Sequence, residues 1–241
     1  MKHSQFALSY VDSLDFLHKI KKINHQFIYN KIEKIFQYIN VRGDFQCKIQ
    51  FAPLLFAKKL DLLNLNRFID ILPAEPLYLI LLIRAGYAAL GFSQNGILTH
   101  HKVIKKYMVR KKQGKAQLTY QAQRGKARGG AKLRLARTNE FLIEINTKLN
   151  DWQDSIKEAQ WIMFQCSPRL WNGIFKTKIL TPFDKNDERL HKIGLNTYKP
   201  SYGELQRING LLLQTTINLY AKERVGSIED LLFQLTTEAS D

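Results

Sequence analysis

From Pro76 to Asn139 the chain contains no aspartate and no glutamate; the nearest acids are Glu75 and Glu140. The same stretch holds Arg84, Lys102, Lys105, Lys106, Arg110, Lys111, Lys112, Lys115, Arg124, Lys126, Arg128, Lys132, Arg134 and Arg137. Those fourteen cations account for most of the chain's formal net charge of +16. A one-sign cluster of this density repels itself unless a polyanion screens it. Nucleic acid is the polyanion whose counterion release rewards such contact. The missing carboxylates also argue against a two-metal nuclease built in this stretch, because hard cations need oxygen ligands.

Cysteine is nearly absent. Cys47 and Cys166 are too few for a disulfide scaffold or a four-cysteine zinc site. Both read as buried apolar residues in a protein of a reducing compartment. The most apolar run, Pro76 to Phe92, is shorter than a membrane span and carries Arg84. The start, Met1-Lys2-His3-Ser4-Gln5-Phe6, lacks the apolar core of a signal peptide. A cytoplasmic protein without membrane contact is the expectation. No phosphate-cradling G-x-x-x-x-G-K-[ST] and no G-x-S-x-G elbow occurs. Disorder is excluded too, since 45% of the 241 residues are hydrophobic and 11% aromatic.

What is present reads as an α/β (α+β) chain with a mixed β-sheet and flanking helices. Residues 9–39 repeat apolar side chains at three- and four-residue steps, from Val11 and Leu14 to Ile35 and Ile39, which predicts helix. Phe45, Cys47, Ile49 and Phe51 alternate with polar residues as in a strand, and a helical stretch is expected from Pro53 to Leu72. Pro73-Ala74-Glu75-Pro76 is a break. It divides a mainly helical N-terminal region, 1–73, from a second domain, 74–241. Beyond it, Leu77–Ile83 and Gly86–Phe92 read as buried strands. Asn95-Gly96 signals a hairpin, and the strand that follows from Ile97 suits a sheet edge. Residues 110–130 read as an exposed basic loop leading into a helix over Lys132–Asn150. Trp161–Cys166 is a strand and Ser201–Lys222 a helix, with Ser201 and Glu204 in capping spacing. Ser227–Thr236 predicts a short last helix.

His100-His101 invites a metal reading, but neighbours on a strand point to opposite faces and cannot share one ion. Trp152, Trp161 and Trp171 flank apolar runs and read as core, although an exposed tryptophan can stack on a base. In the loop, Arg110-Lys111-Lys112-Gln113-Gly114-Lys115-Ala116-Gln117 sets a glutamine among cations. Gly114 and Ala116 let backbone approach a ligand. Glutamine cannot take a proton as a base, but it can orient a hydroxyl or stabilise developing charge. Composition alone would leave Gln117 an ordinary surface glutamine.

The stretch Leu77–Glu140 resembles the eukaryotic-type release-factor superfamily, and within it the Vms-type release-factor-like domain of ribosome quality control. The likeness is carried by Gly86, Asn95-Gly96, His101-Lys102, Lys106-Tyr107, Arg110, Lys112-Gln113-Gly114 and Ala116-Gln117. Gly125-Lys126-Ala127, Gly130-Ala131, Leu133-Arg134 and Asn139-Glu140 continue it. Weaker likeness extends to about residue 215. Lys115-Ala116 stands where release factors carry the second glycine of Gly-Gly-Gln, and Leu135-Ala136-Arg137 reads as an insertion.

The resemblance implies a release-factor-like catalytic fold and a rescue factor for stalled large ribosomal subunits, acting on peptidyl-tRNA and touching rRNA. It implies tRNA cleavage near the 3′ CCA end by attack of a ribose 2′-hydroxyl on the neighbouring phosphate, with neither metal nor cofactor, by a monomer. Gln117, Arg110 and Lys112 would be catalytic, and His101 is a further candidate base. Lys102, Lys105, Lys106, Lys111, Lys115, Arg124, Lys126, Arg128, Lys132 and Arg134 would bind RNA. Two other functions fit the same residues. One is a peptidyl-ester hydrolase in which Gln117 places a water; the other is a ribosome-binding factor without catalysis.

Overall fold

The strand sequence LYLILLIR has no polar position before its last residue, and a strand of that kind must be covered on both faces. The computed structural model describes residues 2–20, 27–30, 35–39, 45–55, 72–106 and 127–221. In chain order the elements are β1 (Lys2–Leu8), α1 (Tyr10–Ile20), β2 (Phe27–Asn30), β3 (Ile35–Ile39), β4 (Phe45–Gln50), β5 (Leu77–Arg84), β6 (Tyr87–Gln94) and β7 (Ile97–Lys105). They continue as α2 (Ala127–Asp151), α3 (Gln153–Glu158), β8 (Trp161–Cys166), α4 (Pro168–Ile174), β9 (Leu190–Lys192), α5 (Tyr202–Leu213) and β10 (Thr215–Ala221). Two units form, one from residues 1–75 and 210–241, the other from 76–209.

In the unit of residues 76–209 the sheet order is β7-β6-β5-β8-β9. β5 runs antiparallel to β6 and parallel to β8, which is parallel to β9. Leu79, Leu81 and Ile83 of β5 project to one face. There they join Ala88, Leu90 and Ile104 in a buried cluster with Phe141, Leu142, Ile145 and Leu149 of α2. These α2 positions lie on a helical stripe, which is why an otherwise polar helix packs here. α5 covers the opposite face. The Tyr78 hydroxyl donates to Asn209 Oδ1 at 2.7 Å, and Asn209 Nδ2 donates to the Gly96 carbonyl at 2.6 Å.

The β6–β7 hairpin has two loop residues, Asn95 and Gly96, with φ of 51° and 82°, the left-handed pair that a tight hairpin needs. Gly91 is set where α5 comes closest to the sheet. A Cβ there would lie 2.9 Å from Leu205 Cδ2 and 3.0 Å from Leu98 Cδ2. Gly91→Val is therefore expected to destabilise this unit by about 1–3 kcal/mol through overpacking. Chemical denaturation followed by tryptophan fluorescence checks it, and an unchanged midpoint would contradict the close approach.

The other sheet is antiparallel throughout, in the order β1-β10-β4-β3-β2. Here the structure corrects the helical reading of residues 9–39 in its second half. Among the described residues of this stretch, helix is found at Tyr10–Ile20, where Ser9 Oγ accepts from Asp12 N at 3.2 Å as the cap. Phe27–Asn30 and Ile35–Ile39 are strands, since β3 pairs with β4 through Phe36↔Ile49 and Tyr38↔Cys47. Short runs of aromatic and β-branched residues fit either period, and the pairing partner decides.

The helix expected over Ser201–Lys222 stops at Leu213. Thr215–Ala221 becomes the strand between β1 and β4, with Ile217 and Leu219 buried. Residues 210–221 are thus grouped in one unit with the N-terminal residues. The helix expected from Pro53 to Leu72 lies outside the described residues except at Pro53–Leu55, which form a turn, and at Leu72; the one expected at 227–236 lies wholly outside them. No helix among the described residues is long and apolar enough to cross a membrane.

Candidate RNA interface

β7 is an edge strand, so its outward side chains meet solvent; apart from Ile104 none is buried. Alternation sends Lys102, Ile104 and Lys106 towards α2, and His101, Val103 and Lys105 to the α5 side. Lys102 and Lys105 are exposed. Lys106 is held instead: its Nζ lies 3.3 Å from Glu144 Oε2 and 3.9 Å from Glu140 Oε2. The cleft between β7 and α2 is mixed in sign, with Lys102, Lys106, Lys148 and Lys178 beside Glu140, Glu144 and Asp151.

The two histidines separate as expected for strand neighbours. The His100 ring lies 5.6 Å from that of Trp152, whereas His101 lies 4.5 Å from Tyr202. Among the described residues no group of three potential ligands could hold a metal. Cys166 is half-buried, and burial pushes its thiol up to about 12, which disfavours the thiolate a nucleophile needs. Trp161 is fully buried, and Trp152 and Trp171 are nearly so.

Arg134 lies on α2, with Lys132 two residues and Arg128 six residues nearer the start of the same helix. Arg110, Lys111, Lys112, Gly114, Lys115, Ala116, Gln117, Arg124 and Lys126 lie outside the described residues. Their chain neighbours on either side are described. Lys106 N donates to the Gly86 carbonyl at 2.9 Å, which fixes the end of β7 beside the β5–β6 turn. Residue 127 opens α2.

Four cations not assigned from the sequence gather with Arg134. Arg84 ends β5, Arg169 lies in α4, Lys176 follows it, and Lys192 ends β9. They line a groove of about 1130 Å³ at the carboxyl ends of the parallel strands, with Leu135, Leu142 and Leu170 in its apolar wall and no carboxylate. Such ends are a common place for ligands in open α/β sheets. The sequence held a partial signal, since Arg84 and Arg169 each follow a buried strand closely. Proximity between positions 84, 134, 169, 176 and 192 comes only from the parallel β5–β8–β9 arrangement.

Residues 78–220 match the model of the Bacteroidetes VLRF1 release factor family, bVLRF1. The mouse (Mus musculus) tRNA endonuclease ANKZF1 is 32% identical over 150 residues, which are 61% of this chain and 20% of that protein. The human (Homo sapiens) tRNA endonuclease ANKZF1 is 30% identical over 147 residues, 60% of this chain and 20% of the relative. The chain spans about a fifth of the length of these relatives. A solved structure, the Vms1 mitochondrial localization core, superposes over 88% of this chain and 84% of its own with a TM-score of 0.47 and 14% identity.

Proposed function

The chain belongs to the Bacteroidetes VLRF1 release factor family, and on that premise we propose that it frees nascent chains from stalled large ribosomal subunits by cutting peptidyl-tRNA near its 3′ CCA end. The observation that carries this reading is the edge of the β7-β6-β5-β8-β9 sheet. The acid-free segment with Gln117 starts directly after β7 and ends directly before α2, and exposed cations lie at that edge. The matched relatives bear the name tRNA endonuclease.

In the proposed reaction a ribose 2′-oxygen bonds to the adjacent phosphorus and the bond from phosphorus to the 5′-oxygen breaks. The 2′-hydroxyl proton ends on the departing 5′-oxygen, so the products are a 2′,3′-cyclic phosphate and a 5′-hydroxyl. The net equation consumes neither water nor metal. Arg110 and Lys112 neutralise the charge that builds on the phosphorane, and Gln117 positions the attacking hydroxyl or a phosphate oxygen. The site of action is the cytoplasm, with rRNA contact from the remaining cations of the segment, and the acting species is a monomer.

The test is a denaturing gel of the tRNA after incubation of the protein with large subunits carrying peptidyl-tRNA. A shortened tRNA is expected. Released peptide with full-length tRNA would replace the reading by ester hydrolysis, and stable co-sedimentation with neither product would leave a binding factor.

Within this reading the lysines of β7 differ. Lys106 is engaged by Glu140 and Glu144, whereas Lys105 is exposed. Lys105→Gln is expected to lower tRNA affinity and to reduce the slope of log K against log salt by somewhat under one, about the value for one lost phosphate contact. Lys106→Gln is expected to change both less. Equal losses measured by filter binding would contradict the pairing.

A further inference from the structure

We propose that the groove formed by Arg84, Arg134, Arg169, Lys176 and Lys192 holds several consecutive phosphates of the substrate RNA strand and so positions it for the segment that carries Gln117. The proposal rests on the tRNA reading above and adds to it a binding site on elements distant in sequence from that segment.

Three observations carry it. The first is the sign of the groove. Five cations come from five different parts of the fold, no lining residue is acidic, and among the described residues none of the five lies within ion-pair distance of a carboxylate, Glu204 acting on Arg84 only at longer range. Such a cluster costs self-repulsion that a polyanion relieves. The second is extent. At about 1130 Å³ the groove exceeds the usual range of small-ligand sites, about 300–1,000 Å³. One phosphate ester would engage only one or two of the five charges. A nucleic-acid strand presents a phosphate per nucleotide and engages them in series.

The third is position. Arg84 pairs in register with Tyr87, and Tyr87 with Lys105, the last residue of β7. The groove therefore lies at the same end of the sheet as the residue after which 107–126 follow, and Arg134 lies on the helix to which they return.

The cations are carried on braced elements. Arg189 holds the start of β9, bonding Asp187 Oδ1 at 2.9 Å and Oδ2 at 2.7 Å and donating to the carbonyls of Ile156 at 2.8 Å and Ala159 at 3.0 Å. Asn146 Nδ2 lies 2.8 Å from the carbonyl of Ile174, Thr177 Oγ1 and the carbonyl of Ile179 and shares its two protons among them, which fixes the loop bearing Lys176. Arg84 donates to the Thr197 carbonyl. Fixed cations bind a phosphate strand with less entropy lost per contact.

The experiment uses the full chain and, as probe, an unmodified tRNA transcript ending in CCA. The variant is the triple Arg169→Gln, Lys176→Gln, Lys192→Gln, all exposed positions outside the Gln117 segment. At about 0.1 M salt the triple is expected to bind at least tenfold more weakly, and its log K against log salt slope should fall by about 2–3, the sum for three lost phosphate contacts. Cleavage, where wild type shows it, should rise in KM with kcat unchanged. Lys192→Glu alone should move affinity in the same direction, which guards against a fold defect in the triple.

Equal affinity and equal slope in wild type and both variants would overturn the proposal. So would protection of wild type against melting by millimolar AMP or inorganic phosphate, lost in the triple, with tRNA affinity unchanged; the groove would then serve a free phosphate ester. If tRNA binding depends on the groove while wild type cuts no tRNA, the groove stands and the endonuclease reading falls. If wild type cuts tRNA with a KM the triple does not alter, the reverse holds.

Discussion

Gln117→Ala is expected to slow tRNA cleavage by about 10²–10³-fold, the usual loss on removing one preorganised donor to developing charge. It should leave tRNA affinity within about twofold of wild type. The reason is chemical. A glutamine amide is uncharged, so it adds little to a phosphate affinity set by some thirteen cations between Lys102 and Arg137. Its worth lies in geometry, because it offers a donor and an acceptor on one rigid plane and can hold a hydroxyl and a phosphate oxygen in one arrangement. Gln117→Glu keeps the shape but sets a negative charge among cations and against a phosphate, and should be at least as impaired. Arg110→Ala should differ in kind, losing both affinity and rate. Single-turnover cleavage and filter binding on the same preparations separate the two effects. Equal losses of rate and affinity in Gln117→Ala would make Gln117 a contact residue, and an unaltered rate would remove it from the chemistry.

Asn146→Leu is expected to cost about 2–4 kcal/mol of stability, seen as a lower denaturant midpoint with unchanged slope. Asn146 is fully buried on α2, and its amide faces three acceptors at the end of α4 and in the loop that follows it. Removing the donor leaves the Thr177 hydroxyl, with one proton, as the remaining side-chain donor to the Ile174 and Ile179 carbonyls, so one buried oxygen loses its partner, which costs more than the bond itself contributes. Asn146→Asp sharpens the test. The substitution keeps the volume but turns acceptor oxygens towards the Ile174 and Ile179 carbonyls. The new carboxyl is protonated in the fold, with its pKa raised above the unfolded value of about 3.9. Stability relative to wild type is then best below that pH and is lost as pH rises through the raised value. A pH-independent difference between Asn146→Asp and wild type would contradict the assigned hydrogen bonds. Because the same loop carries Lys176, both variants should also weaken tRNA binding.

Much of the unit of residues 76–209 was legible in the sequence, for reasons that individual residues show. Seven apolar positions in a row at Leu77–Ile83, the Asn95-Gly96 turn and the apolar stripe Phe141, Ile145, Leu149 each admit one local structure, and each formed it. The N-terminal residues read as helix because Phe27, Ile35 and Ile39 satisfy helical spacing by coincidence, and only the β3–β4 pairing discloses strands. β10 was hidden similarly. Leu212 and Leu219 look like one helical face, yet Thr215-Thr216-Ile217 favours strand once β1 and β4 flank it.

For the site, the charge run stands out in the sequence and Gln117 is singled out only by the resemblance, whereas Arg84, Arg169, Lys176 and Lys192 are single cations far apart in the chain. Their common groove is a property of parallel pairing between β5, β8 and β9, which no local pattern encodes. Lys106 shows the converse. It belongs to the basic run by sequence, but α2 brings Glu140 and Glu144 to it.

The most direct test of the central claim is the chemistry of the tRNA 3′ end. Large subunits bearing peptidyl-tRNA are incubated with the protein, and the recovered tRNA is mapped at its terminal nucleotide and assayed for a cyclic phosphate. A tRNA shortened near the CCA end and closed by a 2′,3′-cyclic phosphate, absent with Gln117→Ala, is the predicted result. An intact CCA end with a free 3′-terminal ribose on tRNA whose peptide has been released would contradict it.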